Sequence, residues 1–111
     1  MFMDEISTIN FKSTIFKALA DPSRLKIIDF LRMGEQCACK IVPTVGFAQP
    51  TVSRHLKVLS DCGILRRRKE SNRIFYSIST PRIYDLIDLV DAQLVELLSR
   101  NVIADIKSGY R

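Results

Sequence analysis

The sequence predicts a mainly α-helical domain that carries a small β-hairpin, with about five helices and two strands. Apolar residues recur at helical rather than alternating spacing over most of the chain. Two short runs at 64–65 and 74–78, rich in Ile, Phe and Tyr, have instead the composition of strands, and the polar residues 69–73 between them suit a turn. We therefore expect four helices, then the hairpin, then a last helix.

Length and composition favour a single domain over residues 1–111. Hydrophobic residues make up 47% of the chain, enough for a real core. No apolar run approaches the roughly 18 residues that span a bilayer, and the N-terminal MFMDEIST has acidic residues where a signal peptide would be basic. Three cysteines cannot all pair within one chain, so Cys37, Cys39 and Cys62 are expected to be thiols in a reducing compartment. These features predict a cytoplasmic protein that does not contact membranes.

Two helices are expected in the first third of the chain. Asp21 and Pro22 supply a cap and a first-turn proline for the second helix, which Gly34 ends. A short third helix is expected from about Cys39 to Val45, where Pro43 is comfortable only in a first turn. The first helix, over residues 4–19, has a broad apolar face formed by Ile6, Ile9, Phe11, Ile15, Phe16 and Leu19.

The fourth helix begins near Gln49. Pro50 suits its first turn, and Gly63 stands where a left-handed residue would end it. Gly46 and Phe47 form a short turn between the third and fourth helices, which predicts a helix-turn-helix with the fourth helix as the recognition helix. At about 100° per residue, one face of this helix is apolar and the other polar. The apolar face carries Val52, Leu56 and Leu59, and the polar face carries Ser53, Arg54, Lys57 and Asp61.

The excess positive charge lies entirely in this helix and the hairpin. Residues 49–73 contain seven Lys and Arg against two Asp and Glu, a net +5 that equals the net charge of the whole chain. A charge run is most often only a solvated face. Here it coincides with a helix-turn-helix, which favours a surface that binds a polyanion such as DNA.

A long helix is expected after the hairpin, with Thr80 as its cap and Pro81 at its start. Its apolar stripe is flanked by acidic residues and exceeds what so small a core needs, which favours a dimer surface that the first helix joins. Residues 104–111 lose the pattern and are expected to fray. The stripe consists of Ile83, Leu86, Ile87, Val90, Leu94, Leu97 and Leu98.

Three stretches together resemble the ArsR/SmtB family of winged-helix repressors: KALADPSRLKIIDFL at 17–31, QPTVSRHLKVLSDCGIL at 49–65 and RRKESNRIFYSIS at 67–79. The resemblance covers residues 11 to about 98 and implies a homodimer that binds a palindromic operator in double-stranded DNA and releases it when an effector binds. No cofactor would be needed for DNA binding. The DNA-contacting residues it implies are Gln49, Thr51, Ser53, Arg54 and His55 on the helix and Arg67, Arg68, Lys69 and Arg73 on the wing.

The chemistry of these residues separates their expected roles. Arg54 and Lys57 project outward, and an arginine there can bind guanine in the major groove or clamp a phosphate. Thr51 and Ser53 can offer hydroxyls to phosphate, and the wing arginines suit the DNA backbone or minor groove. His55 lies about 60° from the centre of the packing face, so a half-buried structural role competes with a base contact.

The segment EQCACKI at 35–41 resembles the Cys-x-Cys motif of family members that bind trivalent arsenic, although the usual third thiol further along the helix is absent. Residues two apart lie about 200° apart on a helix, whereas an extended or capping segment puts them on one side. A helix N-terminus would also favour thiolates, which bind soft metals. Cys37 and Cys39, with Cys62 as the remaining thiol, are therefore candidate ligands for arsenite, antimonite or a soft divalent metal as inducer. A redox switch and buried structural thiols are the alternatives.

An enzyme is not expected. The one histidine lies on the DNA helix, and no Gly-rich phosphate loop occurs. The last helix has carboxylates but no histidine, which argues against the family's zinc site there. The predicted function is a dimeric, sequence-specific transcriptional repressor released from its operator by an effector sensed at cysteine thiols. The alternative is a thiol-redox-responsive or effector-independent winged-helix regulator.

Overall fold

The computed structural model describes residues 5–108, which form six α-helices and one three-stranded antiparallel sheet. The chain divides after Thr80 into two compact units. The first holds α1 (Glu5–Leu19), α2 (Pro22–Phe30), β1 (Gln36–Cys37), α3 (Ala38–Val45), α4 (Gln49–Asp61), β2 (Leu65–Glu70) and β3 (Arg73–Ile78); the second holds α5 (Arg82–Asp88) and α6 (Ala92–Ser108). The predicted class, mainly α with a small β wing, is confirmed. No helix in the described part is long and apolar enough to cross a membrane.

The core of the first unit lies where α2, α3 and α4 contact one another. Its largest fully buried side chains are apolar and come from these three helices. The apolar stripe predicted for α4 is confirmed, because all three of its members are buried while Ser53, Arg54 and Lys57 are exposed. The fully buried side chains are Ile27, Ile28, Ile41, Val52, Leu56 and Leu59.

Local signals set the ends of α2 and α4 as predicted. The Asp21 carboxylate accepts hydrogen bonds from the backbone N–H groups of Ser23 (2.8 Å) and Arg24 (3.1 Å) and so caps α2. The pKa of Asp21 is lowered, chiefly by the hydrogen bond from Arg24. Gly63 follows α4 with φ +83°, a left-handed conformation that favours glycine.

Helix α3 is confirmed at about its predicted place, but the expected first-turn position of Pro43 is wrong. It begins at Ala38, with Cys37 as its N-cap, so Pro43 lies inside the helix rather than in its first turn. Proline has no N–H, and the carbonyl of Cys39 therefore loses its usual donor four residues on. Gly46, with φ +77°, ends the helix.

The hairpin turn is shorter than expected. Residues 69–73 were assigned to the turn, which is wrong: Lys69 pairs with Ile74 and Glu70 with Arg73, so only Ser71 and Asn72 connect the strands. A two-residue connection suits the twist of antiparallel strands, and Ser71 adopts the positive φ of 55° that such a turn needs. The opposite charges of Glu70 and Arg73 favour the extra pair.

The sequence analysis did not predict the third strand, β1. Its two residues pair with the middle of β3, Gln36 with Tyr76 and Cys37 with Phe75, which gives the strand order β1-β3-β2. Two residues are too short to show an alternating pattern, so only the pairing itself identifies the strand.

The expected single long helix at the C-terminal end is also wrong, since α5 and α6 are separated at residues 89–91. Asp91 caps the start of α6: its carboxylate accepts a hydrogen bond from the N–H of Leu94 (2.9 Å), and its carbonyl accepts one from the N–H of Val95 (3.0 Å). Nor does the chain fray from residue 104, because α6 continues to Ser108. Residues 109–111 of that prediction, and residue 4 of the first helix, lie outside the described residues.

We expect Leu59→Ala to lower the free energy of unfolding by about 2–5 kcal/mol, because it opens a cavity where α4 packs on the core. Val58→Ala is the matched control on the adjacent, 40% exposed position and should cost less than about 1 kcal/mol. Urea titration followed by circular dichroism measures both. An equal loss of unfolding free energy in the two variants would contradict the assigned packing of α4.

Candidate nucleic-acid interface and cysteine pair

The outward face of α4 and the wing formed by β2 and β3 present a group of exposed cations. Because the apolar stripe of α4 is buried, Arg54 and Lys57 extend into solvent. Arg54 has no hydrogen bond or ion pair to any residue between 5 and 108, whereas Lys57 pairs with Asp61 one turn along (2.9 Å). The wing adds the exposed side chains of Arg66, Arg67, Arg68, Lys69 and Arg73.

His55 is half-buried at the edge of this face and has a partner inside the protein. Arg24 donates from Nη1 to His55 Nδ1 (3.2 Å) and from Nε to the carbonyl of Ala18 (2.6 Å). Arg24 therefore links α4 to the end of α1 through His55. These hydrogen bonds give His55 a structural role, which was one of its two expected roles. The other, a contact with a DNA base, stays a prediction.

Arg68 is held by two carboxylates and an aromatic ring. It donates to both carboxylate oxygens of Glu35, from Nη2 (2.7 Å) and Nε (3.1 Å), and from Nη1 to Glu70 (2.9 Å). Its guanidinium carbon also lies 4.6 Å from the centre of the Phe75 ring, within the range of a cation–π contact. We call this group, Glu35, Arg68, Glu70 and Phe75, the Arg68 bracket.

The bracket joins the wing to the residue that precedes β1. Bidentate carboxylate pairing within a charge network is the surface geometry most able to contribute to structure. The hydrogen bond from Arg68 lowers the pKa of Glu35, and the carboxylates of Glu35 and then Glu70 raise the pKa of Arg68. The charge of Arg68 is thus already paired inside the protein, unlike that of Arg54.

Cys37 and Cys39 lie together, as a capping segment should place them. Cys37 is extended (φ −68°, ψ 141°) at the N-cap of α3, and its Sγ accepts from the N–H of Cys39 (3.2 Å). The two Cα atoms are 5.1 Å apart, a normal span for a disulfide, and the structure joins the sulfurs. The expectation of three free thiols is therefore wrong for this pair; Cys62 is the free cysteine of the described chain.

A cavity of about 520 Å³ lies beside the cysteine pair and reaches the cationic face. It brings together five residues assigned from sequence to two different sites: Cys37 and Cys39 from the thiol site, and Gln49, Ser53 and Arg73 from the DNA site. The remaining lining residues are Ala38, Val42, Pro43, Leu56, Asn72, Ile74 and Tyr76.

Cys62 does not join the pair. It lines another cavity, with Lys17 and Val58, and its thiol donates to the carbonyl of Leu59 (3.4 Å). Within the described residues no group of three His, Cys, Asp or Glu side chains could hold a metal ion. The donor set at the pair is thus two sulfurs.

Sequence reasoning missed several residues of these sites. Glu35 meets Arg68 across 33 residues, and no local pattern predicts that contact. Asn72 and Tyr76 enter the cavity because the hairpin turn is short and β3 is the central strand. Arg24 could have been suspected only from its place in the capped first turn of α2.

A helix-turn-helix whose recognition helix leads directly into a basic hairpin defines a winged helix-turn-helix DNA-binding protein. The model for bacterial regulatory proteins of the arsR family matches residues 21–67. The chain belongs to this family of bacterial regulatory proteins, because an arsenical resistance operon repressor also matches it over most of both chains.

Two relatives and one solved structure illustrate what the chain is similar to. The arsenical resistance operon repressor of Staphylococcus aureus is 38% identical over 97 residues, 87% of this chain and 92% of that protein. A probable mercury resistance operon repressor of Streptomyces lividans is 43% identical over 74 residues, 67% of this chain and 59% of the longer relative. A solution structure of a homodimeric winged helix-turn-helix DNA-binding domain from Mycobacterium bovis, a possible ArsR-family regulator, superposes with a TM-score of 0.75 at 28% identity, covering 90% of this chain and 93% of that one.

We expect Glu35→Gln to weaken binding to duplex DNA several-fold, because it loosens the Arg68 bracket and with it the wing. The direction of the change in affinity is informative, because removing a negative charge would by itself strengthen binding to a polyanion. Fluorescence anisotropy with a labelled duplex at fixed salt measures the change. Asp29→Asn, which removes the same charge from the ion pair between Asp29 and Arg32, is the control. Tighter binding by Glu35→Gln would identify Arg68 as a phosphate ligand that Glu35 restrains.

Proposed function

We propose that this chain is a cytoplasmic, homodimeric repressor that binds a palindromic operator through α4 and the wing and releases it when a ligand occupies Cys37 and Cys39. One observation carries the DNA-binding part: the whole net charge of +5 lies in residues 49–73, on a helix whose apolar face is buried. Such a surface can enter the major groove and neutralise phosphates at the same time.

The proposed contacts differ in what they contribute. Arg54, exposed and without an internal partner, is the candidate for base recognition, with Lys57 beside it. Gln49, Thr51 and Ser53 lie in the first two turns of α4 and would contact phosphate or base edges. The remaining proposed contacts, which hold the DNA backbone without selecting sequence, are Arg67, Lys69 and Arg73, with Arg68 positioning the wing and His55 supporting α4.

The proposed dimer rests on apolar side chains that the single chain leaves in water. On α6, Leu97 (48%), Leu98 (56%) and Val102 (58%) are about half exposed, and α1 exposes Phe11 and Phe16 similarly. Faces of this kind on a small DNA-binding domain usually meet a second subunit. The M. bovis domain is described as homodimeric, which supports the same arrangement here.

The proposed effector site is the cysteine pair. Relatives named as arsenical and mercury resistance repressors support a thiophilic inducer such as arsenite, antimonite or a soft metal. A second candidate is a dithiol–disulfide switch, favoured by the bond between Cys37 and Cys39. In that case a peroxide would take two electrons and two protons from the thiols, forming the S–S bond and leaving as water.

Arg54→Ala should cost about 1–3 kcal/mol on a selected operator and little on random duplex, because a lost base contact matters only where the base is right. Arg67→Ala should weaken both duplexes alike and make the salt dependence shallower. The wild-type log–log slope of affinity against salt is expected to be about −5 or steeper if six or more phosphates are neutralised. Anisotropy titrations over a salt series measure the affinity losses of both variants and the salt slope of the wild type. A wild-type slope near zero would exclude DNA as the partner, and equal losses by Arg54→Ala on both duplexes would exclude base recognition by Arg54.

Leu98→Glu should dissociate the dimer while each subunit stays folded, because the side chain is exposed in the single chain but would be buried in the interface. Ala92→Glu adds the same charge at an exposed position of α6 that faces away from Leu97 and Leu98, and it serves as the control. Sedimentation velocity gives the assembly state, and circular dichroism the fold. A Leu98→Glu variant that sediments as the wild type does would place the interface elsewhere.

A further inference from the structure

We infer that Arg24 is a positioning residue for operator binding, because it fixes the recognition helix α4 to the end of α1 and so sets the distance between the two recognition helices of the dimer. The inference rests on the proposed function, since it needs both the homodimer and the palindromic operator. It gives a role in DNA recognition to a side chain of α2, which lies outside residues 49–73. Arg24 would act through α4 and not by contacting DNA.

One edge of the Arg24 guanidinium is bound to the last turn of α1. Its Nε donates to the carbonyl of Ala18 (2.6 Å) and its Nη2 to the carbonyl of Lys17 (3.2 Å). The last carbonyls of a helix have no donor within the helix, and the helix dipole also favours a cation beside them. Ala18 and Leu19 are buried at this end of α1, whereas Phe16 next to them is 56% exposed. Arg24 therefore holds the end of α1 that carries part of the proposed dimer surface.

The third nitrogen of the guanidinium, Nη1, reaches the recognition helix. It lies 3.2 Å from Nδ1 of His55 on α4. An arginine side chain stays protonated and can only donate, so Nδ1 must accept, and the proton of the neutral imidazole is then on Nε2. The backbone of Arg24 is fixed as well, because its N–H donates to the Asp21 carboxylate that caps α2 (3.1 Å). We call Arg24 and its three acceptors, on Lys17, Ala18 and His55, the Arg24 link.

The planar shape of the guanidinium makes the Arg24 link rigid. Three hydrogen bonds to two helices, all made by one flat group, leave little freedom for one helix to move without the other. Arg24 and His55 are both half-buried, which reduces competition from water. A lysine has the same charge, but its ammonium is a point charge on a flexible stem and cannot hold the three acceptors in one plane. A displacement of α1 is therefore passed on to α4.

The distance between the two recognition helices decides which operator a dimer can bind. In helix-turn-helix dimers the half-sites lie about 34 Å apart, one turn of DNA, or at a multiple of that distance. The proposed interface includes the exposed Phe11 and Phe16 of α1, and the Arg24 link connects α1 to α4 within each subunit. Loss of the link should leave each α4 able to bind one half-site but should relax the spacing between the two helices.

The test compares Arg24→Lys with the wild type on a selected operator, on a single half-site, and on an operator whose half-sites are moved apart by one base pair. The charge is unchanged, so half-site affinity should change less than about twofold. Affinity for the intact operator should fall about tenfold, and the inserted base pair should cost the variant less than it costs the wild type. Anisotropy titrations with labelled duplexes measure these affinities.

Arg32→Lys is the matched control, because it makes the same exchange in the ion pair between Arg32 and Asp29. It should keep the wild-type spacing preference. An unchanged ratio of operator to half-site affinity in Arg24→Lys would overturn the inference. A wild-type chain that binds a half-site as tightly as the whole operator would instead contradict the proposed dimer and operator.

A double-mutant cycle tests whether Arg24 acts through His55. His55→Leu removes the acceptor, so adding Arg24→Lys to it should relax the spacing preference no further. His55→Asn places a carbonyl oxygen near the position of Nδ1 and should keep the spacing preference, whatever its half-site affinity. Additive effects of Arg24→Lys and His55→Leu would contradict the link. If circular dichroism shows Arg24→Lys unfolded, His55→Leu alone decides, and a retained spacing preference in that variant would overturn the inference.

The tautomer of His55 reports on the link without DNA. His55 is the one histidine of the 111 residues, so its ring nitrogens give unambiguous signals in two-bond ¹H–¹⁵N spectra of the untagged chain. With the ring neutral, the wild type should show the tautomer protonated on Nε2, and Arg24→Lys should show a mixture of both tautomers. A wild-type ring protonated on Nδ1 would overturn the Arg24 link itself, independently of the proposed function.

Discussion

The burial of one apolar stripe on α4 is the constraint on which the rest of the structure depends. Val52, Leu56 and Leu59 pack into the core with α2 and α3, and this packing alone turns Arg54 outward. The wing follows from the same contact, because β2 begins directly after the left-handed Gly63 that ends α4. Ser79 then closes the base of the hairpin by donating from its hydroxyl to the carbonyls of Gly63 (2.6 Å) and Ile64 (3.0 Å). Core packing thus sets the position of both elements of the proposed DNA surface.

The cysteine pair is built into these same elements rather than appended to them. Cys37 caps α3, which packs on α4, and it also pairs with Phe75 in β3, the central strand of the sheet. Glu35, two residues earlier, holds Arg68 on the neighbouring strand. The cysteine pair is therefore connected both to α4 and to the wing, the two elements of the proposed DNA surface.

The sequence predicted those features that arise from residues close together in the chain, and it did not predict those that arise from distant contacts. The cap at Asp21, the end of α4 at Gly63 and the buried stripe each arise within one or two turns, and all were predicted. The two-residue strand β1 forms only because β3 lies beside it, and the contact of Glu35 with Arg68 joins residues far apart in the chain. The break before α6 was missed because the apolar stripe outweighed one capping residue, Asp91. The charge of residues 49–73 located the candidate interface, but it could not show that Arg68 is paired and Arg54 is not.

The central claim is that α4 and the wing together form the DNA-binding surface. Titration of the ¹⁵N-labelled protein with a short duplex, followed through backbone amide shifts, tests it most directly. The largest shifts are predicted in residues 49–57 and 66–73, with those of α6 nearly unchanged. Shifts concentrated in α5 and α6, with α4 unaffected by saturating duplex, would contradict the account.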